Sequence, residues 1–291
     1  MKKYLYAITL SILGVTSGLS QTSAPLQTTY LHQLRNDDAG GSVSVDRFGF
    51  RGGVPLIIEE GNLLAIGFRY ALDRYDFRGA TADWESIHHA NLGLASRWQV
   101  NDGWLWANYA IAGISAEEGS DKDQGFNFNF ISIAEYKVSD RLTIGPGVVV
   151  TSQVDQDIDI IPIIAIDWKI NDEWTFASGP SEVAAAGANV YFEYTPKALH
   201  EKWMFTTGFS YGSQNFKITD NSFIADGSGE ERLASAYLAA SYKMESGVKL
   251  SAIAGYHFLQ SYSIFDGGGT ELSKEILEDA PFFGVSVGFE F

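Results

Sequence analysis

From Phe283 to Phe291 the chain alternates without a break. Phe283, Val285, Val287, Phe289 and Phe291 fall on one face, and Gly284, Ser286, Gly288 and Glu290 on the other. Successive side chains of an extended chain point to opposite sides, so this is a strand with one apolar, aromatic face and one small or polar face. Such a strand suits lipid on one side and a lumen on the other.

The same period of two runs through the rest of the chain. Residues 63–75 set Leu64, Ile66, Phe68, Tyr70 and Leu72 against Ala65, Gly67, Arg69, Ala71 and Asp73. Residues 126–138 set Phe126, Phe128, Phe130, Ala134 and Tyr136 against Asn127, Asn129, Glu135 and Lys137. Residues 142–153 set Leu142, Ile144, Val148 and Val150 against Thr143, Gly145, Gly147, Thr151 and Gln153. Residues 157–170 set Ile158, Ile160, Ile164, Ile166 and Trp168 against Asp157, Asp159, Asp167 and Lys169. Further strands are expected over 26–35, 42–58, 87–100, 104–115, 174–178, 188–195, 203–218, 231–244 and 248–264. The face of 104–115 is ambiguous, because Trp104 and Trp106 share a side with Asn108.

Two kinds of connection alternate between these strands. Short polar turns fall near 59–62, 101–103, 139–141, 171–173, 197–202 and 245–247. Longer acidic or glycine-rich links fall near 36–41, 78–85, 117–124, 179–187, 219–230 and 266–280, with a shorter one at 154–156. Short turns on one rim and long loops on the other define an antiparallel up-and-down barrel. Of the seven tryptophans, Trp98, Trp104, Trp106, Trp168, Trp174 and Trp203 lie beside short turns, and only Trp84 belongs to the long-loop side. Indole rings favour a headgroup layer, so this one-sided set reads as an aromatic girdle at the periplasmic interface.

The start of the chain agrees. Lys2 and Lys3 precede an apolar stretch from Leu5 to Val15 and small residues around 18–24. This is the layout of a secretory signal peptide over residues 1–24, cleaved near 20–24, with one domain over 25–291. No window holds the roughly 18 unbroken apolar residues of a membrane helix. Cysteine is absent, so stability rests on the strand ladder without disulfides. Loss of Lys2 and Lys3 takes the formal net charge from −16 to −18, which excludes the basic footprint that nucleic acid requires.

Taken with the signal sequence, the terminal strand resembles those of bacterial outer-membrane β-barrels of uncharacterised, porin-like families. That resemblance implies an outer-membrane location among lipid, and recognition of Phe289 and Phe291 by the barrel assembly machinery. The expected fold is thus an all-β transmembrane barrel of 12–14 strands. An even count follows if both ends are periplasmic, and the count is twelve if 174–178 and 188–195 are not full spans. Pro146 and Pro162 each remove a ladder donor inside a strand, so a bulge or kink is expected near each. Within the link 266–280, residues 271–278 could form a short helix capped by Thr270.

If every apolar face meets lipid, Arg69, Arg97, Glu135, Lys137, Asp157, Asp159, Asp167, Lys169, Glu193, Lys249 and Glu290 point inward. Two readings stay open: a charged passage for small solutes or cations, and a polar plug filling a closed barrel that acts through its acidic loops. The run Asp155, Asp157, Asp159 lacks the glycine and glutamate of a calcium loop, with Ile160 and Ile166 in their places, so no metal site is expected. His89 and His257 face inward by parity, but no nucleophile and base signature accompanies them. No catalysis and no cofactor are expected.

Overall fold

The computed structural model describes residues 26–35, 41–59, 62–152, 154, 158–179, 188–200, 202–220 and 226–289. The expected signal peptide lies outside these, as do Asp157, Glu290 and Phe291. Fifteen strands follow in order: β1 (Leu26–Gln33), β2 (Ser42–Glu59), β3 (Asn62–Arg78), β4 (Ser86–Gln99), β5 (Trp104–Glu117), β6 (Phe126–Ser139), β7 (Leu142–Ser152), β8 (Asp159–Lys169), β9 (Trp174–Ser178), β10 (Ala188–Tyr194), β11 (Trp203–Lys217), β12 (Ser228–Lys243), β13 (Val248–Phe265), β14 (Glu271–Ile276) and β15 (Ala280–Phe289).

Each strand from β1 to β13 pairs antiparallel with the next, and β15 joins β13 to β1, so the sheet closes on itself. β14 and β15 lie on the same edge of β13 in one register, with Ser261 opposite Ile276 and His257 opposite Ala280. Together they make one interrupted wall strand, and the barrel has fourteen. The short strands β9 and β10 are members of the wall. Residues 271–276 are strand, not helix: Asp266 turns the chain, its carboxylate accepting from the Gly268 and Thr270 amides at 2.9 Å each.

Burial follows the alternation. On β3, Ala65, Gly67, Ala71, Asp73 and Tyr75 are buried, while Ile66, Phe68 and Tyr70 stay exposed on the outside. On β5, Ala107, Ile111 and Ser115 turn in, and Trp104 and Trp106 turn out. The outward Asn108 is satisfied by Ser132, which also accepts from the Trp106 indole at 2.8 Å. Exposed tryptophans pair with tyrosines along the short-turn rim: Trp104 with Tyr136 at 4.9 Å, Trp174 with Tyr194 at 4.6 Å and Trp203 with Tyr242 at 5.1 Å.

Neither proline introduces a bulge. Pro146 faces Ile164 and Pro162 faces Val148 in one continuous β7–β8 register. The β6–β7 ladder omits the pairs opposite Pro146 and Gly145 and resumes in the same register at Tyr136 and Ile144. Pro162 lies on the part of β8 beyond its pairs with β9, where no described strand needs its missing donor. The register shifts occur elsewhere, at Leu56 on β2, at the β6–β7 turn, at Phe265 where β13 meets β14, and on β13 beside β12. In the last, Leu259 adopts a left-handed φ of 55° and adds one residue opposite Leu233. The extra residue reverses the phase of β13, so that His257 is followed inward by Gln260, Tyr262 and Ile264.

At the long-loop end the interior is not open space. Val43, Val45, Tyr75, Trp84, Ile87, Phe216, Tyr262 and Ile264 form one buried apolar cluster. β5 and β11, which are six strands apart in the wall, meet across the interior through a parallel pair between Ala116 and Lys217.

Candidate functional site

The interior of the barrel is the candidate site, and it has two levels. At the upper, long-loop level, Arg47 of β2 faces Asp73 of the adjacent β3 and reaches across to Glu231 of β12. Its guanidinium contacts Asp73 at 2.5 Å and Glu231 at 2.6 Å, and all three residues are buried. Tyr262 and Tyr75 also donate to the Glu231 carboxylate, at 3.0 and 3.1 Å. Buried charge is costly unless it is paired and hydrogen-bonded, and here both carboxylates find donors. The network therefore ties β2 and β3 to β12 inside the barrel.

Above it, the β3–β4 loop folds inward. Trp84 is 4% exposed and meets Tyr75, Phe77 and Phe216 edge-on at 5.0–6.1 Å between ring centroids. Glu117, at the end of β5, fastens this arrangement. One carboxylate oxygen accepts from the Glu85 amide at 3.1 Å, the other from the Thr219 amide and hydroxyl at 2.8 and 2.9 Å. Glu275 of β14 accepts from the Thr81 amide at 2.9 Å. The end of β5, the β3–β4 loop, the segment after β11 and β14 are thus held together at this end.

The lower level holds a cavity of about 400 Å³. Arg97 of β4 donates to Glu135 of β6 at 2.6 Å on its wall, beside Tyr109, Asp167 and Asn189. Asn189 is 5% exposed; its carbonyl oxygen accepts from Tyr237 at 3.1 Å, while its amide nitrogen has no partner among the described residues. The Nε of Arg97 is likewise buried without one.

The residues singled out from alternation distribute over these levels and the rim. Arg69 lies between inward Gly67 and Ala71 on β3, within reach of the field of Asp73 and Arg47. Arg97, Glu135 and Asp167 meet at the cavity. Lys137 has inward parity, but its ammonium leaves the bore and binds Asp140 in the turn at 2.7 Å. Lys169 is exposed at the same rim, and Asp159 is half-buried at the far end of β8. Glu193 and Lys249 are half-buried near the short-turn end of β10 and β13. Phe289 faces out, opposite Leu26 and Val248. Asp157, Glu290 and Phe291 fall outside the described residues. In the acidic link before β6, the Asp123 amide donates to the Asp121 carboxylate at 3.2 Å, a local cap. Among the described residues, no group of three acidic or histidine side chains is placed to hold a metal ion.

Alternation did not single out Arg47, Glu231 or Trp84. Asp73 was placed on the inward face by its parity, and its partners were not. Glu231 is separated from Arg47 by 184 residues, so nothing local pairs them. Trp84 lies in a loop, where period two carries no information.

A closed antiparallel sheet with an apolar outer face, an aromatic rim and a charged interior defines the class of membrane-spanning β-barrels. Within that class the chain belongs to the family described as Domain of unknown function (DUF6268), whose model matches residues 64–290. No curated protein sequence matches the chain. Among solved structures it is similar to the KdgM porin, at 10% identity and a TM-score of 0.39, over 91% of this chain and 99% of that one. It is similar also to a triple mutant of the Rhodopseudomonas blastica porin, at 11% identity and a TM-score of 0.39, over 92% and 99%. A bacterial polysaccharide outer membrane secretin matches at 9% identity and a TM-score of 0.45, over 93% and 99%. Likeness at this level says nothing of solute or partner.

Proposed function

We propose that this protein is a transport-related outer-membrane barrel that rests with its straight passage shut. One observation carries the reading: at the long-loop end, the β5–β11 contact and the Trp84 cluster occupy the interior where an open pore has water. Passage of small solutes then requires Glu117 to release Glu85 and Thr219, and the two strand ends to part. Below the closure, Arg97, Glu135 and Asp167 form a charged stretch that favours small polar solutes over bulky apolar ones. The outer membrane is the fitting location, reached through the segment at 1–24, with Phe289 and Phe291 as the signal read during assembly.

Planar-bilayer recording tests this reading. The wild type is expected to be closed for most of the record, with brief openings. Trp84→Ala and Glu117→Ala are expected to lengthen the open time. Steady conductance of the wild type overturns the closed state. Folded variants that never conduct overturn the transport role and leave a structural barrel acting through its acidic loops. Recovery of the protein from a soluble periplasmic fraction, without heat-dependent gel mobility, overturns the location.

A further inference from the structure

The outer face of the wall changes character along one row at the long-loop end. On β3 the outward positions Leu64, Ile66, Phe68, Tyr70 and Leu72 are apolar or aromatic, and the next two are Arg74 and Asp76. At about 3.3 Å per residue and a tilt near 40°, Arg74 stands roughly 25 Å above Leu64, the height of a barrel's apolar band. Arg74 therefore marks the level at which acyl chains give way to headgroups. The row continues sideways: Arg74 faces Asp46 on β2, Asp46 faces His32 on β1, and His32 faces Phe283 on β15.

Both carboxylates of this patch are already engaged by other donors. Asp46 accepts from the Tyr30 hydroxyl at 2.6 Å and meets the His32 ring at 2.8 Å. Asp76 is bound by Arg35, which also donates to the hydroxyls of Ser42 and Ser44 at 3.4 and 3.3 Å. Arg78, the next outward position on β3, lies 3.8 Å from Asp76 with its side chain 70% exposed. Arg74 is exposed as well, and its guanidinium makes no hydrogen bond or direct ion pair among the described residues. Three guanidiniums thus stand over two carboxylates among the described residues, in a chain of formal net charge −16. Beneath them the wall is aromatic. Tyr30 packs on Phe48 at 4.8 Å and Phe50 on Phe68 at 5.5 Å, with all three phenylalanines exposed.

Positive charge above and aromatic surface below match the two halves of an anionic lipid. Arginine at a membrane surface attracts anionic headgroups, and its planar fork of N–H donors fits the oxygens of a phosphate. We propose that this face of β1, β2 and β3 binds a lipid whose headgroup ends in an anionic phosphate, the phosphate at Arg74 and Arg78 and the acyl chains over Phe48, Phe50 and Phe68. The inference rests on the membrane reading of the outer face, but not on the closed state of the passage.

Native mass spectrometry of the detergent-solubilised barrel, offered equal amounts of dioleoyl phosphatidic acid and dioleoyl phosphatidylcholine, tests it. Heat-dependent gel mobility is checked first, so failure of the membrane reading is seen apart from failure of the site. The wild type is expected to carry phosphatidic acid over the zwitterionic lipid by about tenfold. Arg74→Ala combined with Arg78→Ala, both at exposed positions, is expected to bring the two adducts to parity. Arg141→Ala, which removes an exposed arginine at the short-turn rim, is expected to leave the preference unchanged. Equal adducts on the wild type, or a preference that survives the double substitution, overturn the site. A preference lost equally in Arg141→Ala overturns its position. Displacement of the lipid by inorganic phosphate at the same concentration overturns a lipid headgroup as the ligand.

Discussion

Arg47 neutralises two carboxylates that arrive from different parts of the barrel, Asp73 from the neighbouring strand and Glu231 from across the bore. Removing the guanidinium leaves two buried anions facing each other, whereas removing all three charges leaves no unpaired ion at that level. Arg47→Met is therefore expected to cost about 3–5 kcal/mol, read from urea unfolding of the barrel refolded in vesicles. Combining Arg47→Met with Asp73→Asn and Glu231→Gln is expected to cost less than Arg47→Met alone. Leu259 supplies the opposite case. It holds a left-handed φ of 55° with an exposed side chain, so Leu259→Gly is expected to raise stability by about 1 kcal/mol. An unchanged unfolding midpoint would mean that the lipid contact of Leu259 offsets its backbone cost. At this scale the sequence was half legible. Parity places Asp73, Arg97 and Glu135 on the inward face, because period two is a local property. The partners Arg47 and Glu231 stayed hidden, because pairing across a lumen depends on the curvature of the whole sheet.

The strands themselves were legible almost to the residue. Sequence alternation places strands at 174–178 and 126–138, and the sheet holds β9 at Trp174–Ser178 and β6 at Phe126–Ser139. Besides β14, which the sequence left inside a long link, the reading failed at inserted residues and missing donors. Pro146 and Pro162 suggested bulges, yet the ladder passes both in register, since an omitted pair costs less than a shift that would turn every later side chain over. The phase reversal at Leu259 has no signal in composition, and without it Tyr262 would face lipid. The short turns carry their own electrostatics. Asp172 accepts from Lys197 Nζ at 2.7 Å and lies 3.2 Å from Arg141, and the Lys197 hydrogen bond and charge hold its carboxyl below the usual carboxylate range. The folded value is thus lower than the unfolded one. Any contribution to stability is present above the unfolded pKa of about 3.9 and fades as pH falls through the folded value. Full exposure keeps that contribution small. Carboxyl titration by NMR is expected to show Asp172 returning towards an ordinary value in Lys197→Ala, and an unmoved titration would contradict the assignment.

For the molecule as a whole, closure of the sheet, which the strand pairing shows, and closure of the bore, which we propose, are separate matters. Alternation, the terminal strand and the one-sided tryptophans foretell the first, because lipid outside and polar groups inside impose them on every strand. They are silent on the second. Both a water-filled and a plugged barrel carry small and charged inward residues, and the difference lies in whether loops and strand ends fold over the opening. Here Trp84 and the ends of β5 and β11 do so, joined by Glu117. The central claim is therefore the contact of β5 with β11 across the interior. The chain has no cysteine of its own, so Ala116→Cys with Lys217→Cys gives a clean test in the native membrane. Paired residues lie within the roughly 4.4–6.8 Å between Cα atoms that a disulfide spans. Mild oxidation is expected to link the pair rapidly and to abolish the brief openings expected in bilayer recordings. A pair that stays reduced in a folded, heat-modifiable barrel would show β5 and β11 standing apart, and would contradict the closed bore.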